Sequence, residues 1–88
     1  MLELISERRF EKDLKLIKQR KYRLGKLFKI VTVLQNENPL PIKVLNHKLK
    51  DNFKNCWECH IEPDWLLIYK KTATALILIR TGTHADLF

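Results

Sequence analysis

The sequence predicts an α+β fold in which two helices pack against an antiparallel sheet. Apolar residues recur every three to four positions as far as Leu34, which is the spacing of helices with one buried face. From about Phe53 onward they alternate or run continuously, which is typical of strands. A chain of 88 residues is sufficient for one domain. We therefore predict a single domain over residues 1–88 with the order β-α-α-β-β-β, an antiparallel sheet packed against a helical hairpin.

The N-terminal half contains the predicted first strand and both helices. "LELI" is short and apolar and predicts a strand, and Ser6 after it is a favourable N-cap for a helix. Phe10, Leu14 and Ile17 then lie at i, i+4 and i+7, on one helical face. After the polar run "KQRKYR", a second helical pattern comprises Leu24, Leu27, Phe28, Val31 and Leu34. The prolines and asparagines of "NENPLP" end it.

Three strands are predicted in the C-terminal half. In "CWECHI" apolar and polar residues alternate, and "EPD" is typical of a turn. "WLLIYK" is apolar on both faces, as expected of a central strand. After the turn "KTAT", "ALILIRT" is a third strand of the same kind. Consecutive strands with short connections favour antiparallel pairing.

The charge of +7 is concentrated in the N-terminal half of the chain. Residues 1–50 contain 13 Lys and Arg against 5 Asp and Glu, whereas residues 51–88 contain 4 against 5. Such a distribution favours binding to a polyanion, with nucleic acid the first candidate. A solvated, lysine-rich helical surface explains the same charge equally well.

The sequence also argues against export and membrane insertion. Acidic and basic residues interrupt the N-terminus where a signal peptide needs an apolar segment. The longest apolar runs, Trp65–Tyr69 and Ala75–Ile79, are much too short to cross a bilayer. Two cysteines make a poor disulfide framework, which fits a reducing compartment. We therefore expect a cytoplasmic protein with no membrane partner.

Five polar residues near predicted strand ends form a candidate acid–base site: His47, His60, Asp64, Arg80 and His84. Antiparallel strands bring such ends to a common edge of the sheet. Imidazoles titrate near neutral pH, a carboxylate orients or charges one of them, and an arginine supplies a fixed cation. Each residue taken alone is better explained by a simple surface position. The set as a whole makes a catalytic site an alternative to that explanation, but composition alone does not favour it.

The segment "CWEC" has the spacing of a metal or redox motif, but the rest of the sequence opposes that interpretation. A zinc site needs further ligands, and there is no second such pair. Residues three apart on a strand also face opposite sides of the sheet. We interpret Cys59 as a core residue and predict no metal site and no cofactor.

The segments "NHKLKDNFK", "HIEPDWLLIYK" and "RTGTHADLF" resemble the YafQ branch of the RelE/ParE superfamily of bacterial toxins. The resemblance spans most of the chain and is strongest over residues 46–88. It implies the RelE-like microbial RNase fold and a metal-independent endoribonuclease that cuts mRNA, in known relatives within the ribosomal A site. It also implies a cognate antitoxin partner and operator DNA bound only through the antitoxin complex.

The same resemblance assigns roles to individual residues. It implies functional positions at His47, His60, Asp64, Trp65, Arg80, His84 and Phe88. For cleavage by the ribose 2′-OH we assign Arg80 to the phosphate and His84 as acid, with His47 or His60 as base. Trp65 and Phe88 would hold bases or sugars. Glu58, which shares a face with His60, and the nearby Lys48 and Lys50 are further candidates for substrate contact.

Two other functions remain compatible with the composition. One is a toxin of the same fold that poisons gyrase and lacks the catalytic set, and the other is a basic nucleic-acid-binding module. The histidines together with Asp64 and Arg80 favour the endoribonuclease, because a binding module does not need acid–base groups.

Overall fold

A computed structural model describes residues 1–41, 44, 46–49 and 53–88. The elements are β1 (Glu3–Ser6), α1 (Arg8–Gln19), α2 (Leu24–Gln35), β2 (His47–Lys48), β3 (Trp57–Glu62), β4 (Trp65–Lys71), β5 (Ala75–Gly82) and α3 (His84–Leu87). The predicted α+β class is confirmed, and β2 and α3 are two short elements that the prediction lacked. None of the described helices is long and apolar enough to span a membrane.

The five strands form one sheet in the order β1-β5-β4-β3-β2. The pairs from β2 to β5 are antiparallel, as predicted, but β1 lies parallel to β5 with Glu3 opposite Ala75 and Ser6 opposite Leu78. The sheet is therefore mixed, which corrects the purely antiparallel prediction. The beginning of the chain lies beside its last strand, so α1 starts close to the C-terminal segment.

Both helices cover one face of the sheet, and the main core lies between them. From the helices it contains Phe10, Ile17, Leu27, Val31 and Leu34, and from the sheet Cys59, Trp65, Leu67, Tyr69, Leu76 and Leu78. The helical residues recur at the predicted spacing, because only that face of each helix contacts the sheet. Burial of this stripe is what holds α1 and α2 in place.

A smaller apolar cluster covers the opposite face of the sheet. Leu66 and Ile68 of β4 pack there against Cys56 and Leu87, with Phe53 partly buried beside them. Strand β4 is therefore buried on both faces, which confirms the predicted central strand. This second face carries the histidines described below.

The helix ends differ in one respect from the prediction. Ser6 is the last residue of β1 and does not cap α1; the N-cap is Glu7, whose side chain makes no capping hydrogen bond.

At the other end of α1, Lys21 has a left-handed backbone with φ of 63°. Its N–H donates to the Lys18 carbonyl, and the Tyr22 N–H donates to the Ile17 carbonyl at 3.1 Å. This pair of bonds is a Schellman motif, in which glycine is the usual residue at the left-handed position.

Candidate active site

The sheet brings the three histidines into a row. His47 on β2 lies opposite Glu58 on β3, so the two side chains share a face, and His60 follows two residues later on that face. The ring centroids of His47 and His60 are 6.0 Å apart, and those of His60 and His84 are 5.7 Å apart. Three predicted site residues from three separate elements therefore stand side by side.

Asp64 holds His84 through a single carboxylate oxygen. Its Oδ1 lies 2.6 Å from the His84 Nδ1 and accepts the His84 backbone N–H at 3.0 Å. The backbone bond first, and the bond to the ring second, lower the pKa of the Asp64 carboxyl. An ionised carboxylate can only accept a hydrogen bond, so the Nδ1 of His84 is the donor in this pair. The Nε2 of His84 is then the nitrogen available to a substrate. The predicted pairing of Asp64 with a histidine partner is thus present in the geometry.

The segment that carries His84 is fixed by a capping box. The Thr83 hydroxyl accepts the Asp86 backbone N–H at 3.2 Å, and the Asp86 carboxylate accepts the Thr83 N–H at 2.9 Å. Gly82 has φ of 155°, and a Cβ at this position would lie 2.9 Å from Oδ2 of Asp86. Glycine is required here because the capping carboxylate approaches the backbone closely.

Arg20, at the C-terminal end of α1, stabilises this capping box by binding Asp86. Its guanidinium donates two hydrogen bonds to Asp86, at 2.7 and 3.2 Å. Arg20 first, and the Thr83 N–H second, lower the pKa of the Asp86 carboxyl. The sequence analysis missed α3, although "THAD" has the spacing of a capping box. The Arg20–Asp86 pair spans 66 positions, and no local pattern could have indicated it.

Arg80 is paired with Asp13 of α1, a residue that the sequence analysis did not single out. The Arg80 Nε lies 2.5 Å from Asp13 Oδ2, and its Nη2 lies 3.0 Å from Oδ1. Asp13 also accepts the Thr81 N–H at 3.2 Å, beyond the point where β1 stops pairing with β5. One side of the guanidinium fork that was assigned to the phosphate thus holds Asp13. Of the five N–H donors of an arginine, those on Nη1 and one on Nη2 remain for another acceptor.

The two aromatic candidates differ in their surroundings. Trp65 is only 1% exposed, and its Nε1 donates to the Thr81 hydroxyl at 2.9 Å. It is a core residue in this structure, so its ring is not exposed for a base to stack on, and its role in substrate contact stays a prediction. Phe88 is 64% exposed and lies edge-on to Phe53 at a centroid distance of 5.6 Å. Its ring is available to a ligand.

Of the two lysine candidates, the structure describes Lys48. Lys48 lies opposite Trp57 on β3, so its side chain leaves the sheet on the face opposite to His47. Lys48 therefore points away from the histidine row, and its contact with substrate stays a prediction. Lys50 lies outside the described residues.

The candidate site could also hold a metal ion. His47, Glu58 and His60 each offer one ligand atom, and these atoms all lie within 4.8 Å of one another. Nitrogen and carboxylate donors suit Zn²⁺ and Cu²⁺. The cysteines of "CWEC" are not in this ligand set, and Cys56 and Cys59 belong to the two opposite faces of the sheet, as strand geometry predicted. Burial raises the pKa of Cys59 to about 12, which keeps the thiol protonated.

Comparisons with known proteins identify close relatives. Residues 2–88 match the model of a family described as bacterial toxin of type II toxin–antitoxin system, YafQ. The mRNA interferase toxin YafQ of Escherichia coli strain B / BL21-DE3 is 45% identical over 80 residues, covering 90% of this chain and 87% of the relative. A crystal structure of YafQ from E. coli BL21(DE3) matches with a TM-score of 0.94 and 39% identity, over 100% of this chain and 99% of that one. YafQ in the E. coli DinJ–YafQ complex matches with a TM-score of 0.91 and 40% identity, over 99% and 97% of the two chains.

Proposed function

The chain belongs to the YafQ family of toxins from bacterial type II toxin–antitoxin systems, and we propose that it cleaves mRNA by attack of a ribose 2′-OH on the adjacent phosphorus. Its class is that of the mRNA interferases, which are endoribonucleases. The observation that carries the proposed mechanism is the His84–Asp64 pair beside two further imidazoles. Acid–base groups on both sides of a phosphodiester are what this reaction needs.

His84 is the general acid in this mechanism. Its Nδ1 is held by the carboxylate of Asp64, and its Nε2 has no hydrogen-bond partner among the described residues. The proton that His84 donates to the 5′ leaving oxygen would leave from Nε2, while the hydrogen bond at Nδ1 fixes the orientation of the ring. The capping box fixes the backbone of His84, so the ring is held in place before substrate arrives.

The general base is His47 or His60. Both rings lie on the face that carries His84, with His60 between the other two. Glu58 is 9% exposed and lies within 4.8 Å of both imidazoles, so its carboxylate can orient or charge the histidine that accepts the 2′ proton.

Arg80 stabilises the charge that develops on the phosphoryl oxygens. Asp13 holds its Nε and Nη2 in a partly buried ion pair, which fixes the plane of the guanidinium. The remaining N–H groups can donate to non-bridging oxygens without reorganisation, which is the condition for strong electrostatic stabilisation. Phe88, whose ring is exposed, stacks on a base of the substrate.

The proposed partners follow from the charge and from the relatives. A net charge of +7 suits binding to mRNA and to the ribosome, on which we propose that cleavage occurs in the cytoplasm. A cognate antitoxin, as in the DinJ–YafQ complex, would carry an acidic segment that folds over the basic helices and the edge near Arg80. Operator DNA would be bound only through that complex. The gyrase-poison and simple binding-module alternatives are set aside because the relatives are mRNA interferases.

Cleavage should survive chelation and leave cyclic phosphate ends. We expect the purified protein with excess EDTA to cut RNA, on free transcripts or on programmed ribosomes, because the histidines supply both proton transfers. Fragment ends can be identified by mass spectrometry. Loss of cleavage in EDTA, restored by a stoichiometric metal, would contradict the mechanism.

The same assay contains two informative controls. Added Cu²⁺ or Zn²⁺ should inhibit cleavage reversibly, since binding at His47, Glu58 and His60 withdraws both candidate bases.

A variant with Cys56→Ser and Cys59→Ala should retain cleavage, with some loss of stability because both side chains are buried.

Exposed lysines on α1 should contribute to RNA affinity. Lys12, Lys15 and Lys18 are all exposed. Replacing the three with glutamate should weaken association with RNA or ribosomes and reduce the slope of log affinity against log salt, because fewer counterions are released. The cut position on a bound substrate should not change. An unaltered salt slope, measured by fluorescence anisotropy, would show that this face of α1 does not contact RNA.

A further inference from the structure

A cleft of about 520 Å³ opens next to the catalytic pair and has no role in the mechanism above. One wall is the connection from α1 into α2, with Lys21, Tyr22, Arg23 and Lys26, and the other is the turn between β3 and β4. Asp64 in that turn lines the cleft and also holds His84. A ligand in the cleft would therefore lie one side chain away from the proposed general acid.

The cleft is suited to an anion. The Lys26 ammonium lies 3.6 Å from the Glu62 carboxylate, and the Asp64 carboxylate is hydrogen-bonded to His84, so each of these groups already has a partner. Lys21 and Arg23 have no carboxylate at ion-pair distance in the part of the chain that the structure describes. The N-terminus of the twelve-residue helix α2 lies at the same wall, and its N-cap Arg23 provides no side-chain cap. Two unpaired cations next to an uncapped helix N-terminus favour a phosphate.

The cleft also contains an aromatic surface. The Tyr22 ring packs edge-on against Trp65, with centroids 5.0 Å apart, and Tyr22 remains partly exposed while Trp65 is buried. Pro63 lines the cleft from the opposite wall. An aromatic ring held by a buried tryptophan is a rigid platform on which a base can stack. Tyr22 thus offers the aromatic contact that Trp65 cannot offer.

We propose that this cleft binds the nucleotide of the mRNA substrate next to the scissile phosphodiester, with its phosphate on Lys21 and Arg23 and its base against Tyr22. The proposal rests on the endoribonuclease function and adds a positioning site to it. Because Asp64 joins the cleft to His84, a nucleotide held there brings its neighbouring phosphodiester to the acid. The cleft then contributes to substrate binding rather than to proton transfer, and its removal should affect KM more than kcat.

The backbone of Lys21 provides a sharp test. Glycine is favoured at its left-handed position, so Lys21→Gly removes the cation without straining the helix end. Glu37 occupies the equivalent position after α2 with φ of 58° and provides a matched control. We expect Lys21→Gly with Arg23→Gln to raise KM about tenfold or more, the effect of losing charged hydrogen bonds. The kcat should stay within about threefold, and the melting temperature should not fall because of Lys21→Gly.

The control and the alternative outcomes separate this proposal from the function on which it rests. Glu37→Gly should leave KM unchanged, since this position lies away from the cleft. If the wild type cleaves RNA and the cleft variant has an unchanged KM, the cleft proposal is wrong and the endoribonuclease stands. If the wild type itself does not cleave, the function is wrong.

A crosslinking experiment tests direct contact independently of catalysis. RNA with a single 4-thiouridine on either side of the cut position is bound to the His84→Gln variant and irradiated. We expect a crosslink to the peptide that contains Tyr22 from one of the two positions only, and loss of this crosslink in Tyr22→Leu. Crosslinks from both positions exclusively to other peptides would overturn the proposal. A crosslink from ribosomal RNA alone would show that the cleft binds the ribosome and not the substrate strand.

Discussion

Replacement of His84 by alanine should lower the rate of RNA cleavage by about 10²–10⁴-fold, the contribution of a positioned general acid. The side chain is 54% exposed and its one side-chain hydrogen bond is to Asp64, so the fold should be little affected. Single-turnover cleavage measures the loss directly, and the thermal melt followed by circular dichroism measures stability. The cleavage rate should fall greatly, whereas the melting temperature should change little.

His84→Gln is the matched control, because it preserves the backbone and much of the side-chain volume but cannot donate a proton as imidazolium does. It should bind RNA like the wild type and cleave as slowly as His84→Ala. Near-wild-type cleavage by either variant would refute the assignment of the acid. Deletion of residues 84–88 would be a poorer test of the acid than either substitution. It also removes the buried Leu87 and the Asp86 bonds to Arg20, and so it should destabilise the fold.

Replacement of Arg80 by alanine should cost cleavage about 10²–10³-fold, the typical effect of removing one group that stabilises charge in the transition state. It should also lower the melting temperature, because it leaves the Asp13 carboxylate without its cation at only 12% side-chain exposure. These two effects have different origins, and a second substitution separates them. Single-turnover rates and thermal melts of the same variants provide the comparison.

Asp13→Asn is that second substitution. The amide oxygen of asparagine can still accept from the Thr81 N–H and the guanidinium, so Arg80 should stay close to its position and most cleavage should be retained. The double variant Asp13→Asn with Arg80→Gln should recover stability, since no unpaired charge is left, but not cleavage. Recovery of both would mean that Arg80 is a structural residue, held by Asp13, with no part in phosphate stabilisation.

The sequence by itself determined the elements whose pattern is local. Apolar residues at helical spacing indicated α1 and α2, and the runs around "CWECHI", "WLLIYK" and "ALILIRT" indicated β3, β4 and β5. These patterns can be recognised in the sequence because a helix or a strand needs apolar residues on each face that it buries. Their spacing is then set by the geometry of the element itself. The histidines, Asp64 and Arg80 were also found, since their chemistry is a property of the residue type.

The tertiary structure alone decided which of these residues act together. Arg80 meets Asp13 across 67 positions and Arg20 meets Asp86 across 66, and both pairs exist because β1 lies parallel to β5 and places α1 beside the end of the chain. Burial likewise decided that Trp65 packs in the core while Tyr22, which lies against it, stays partly exposed in the neighbouring cleft. Local periodicity shows which face of an element is buried but not what lies against it, because that depends on strand order and register across the whole sheet.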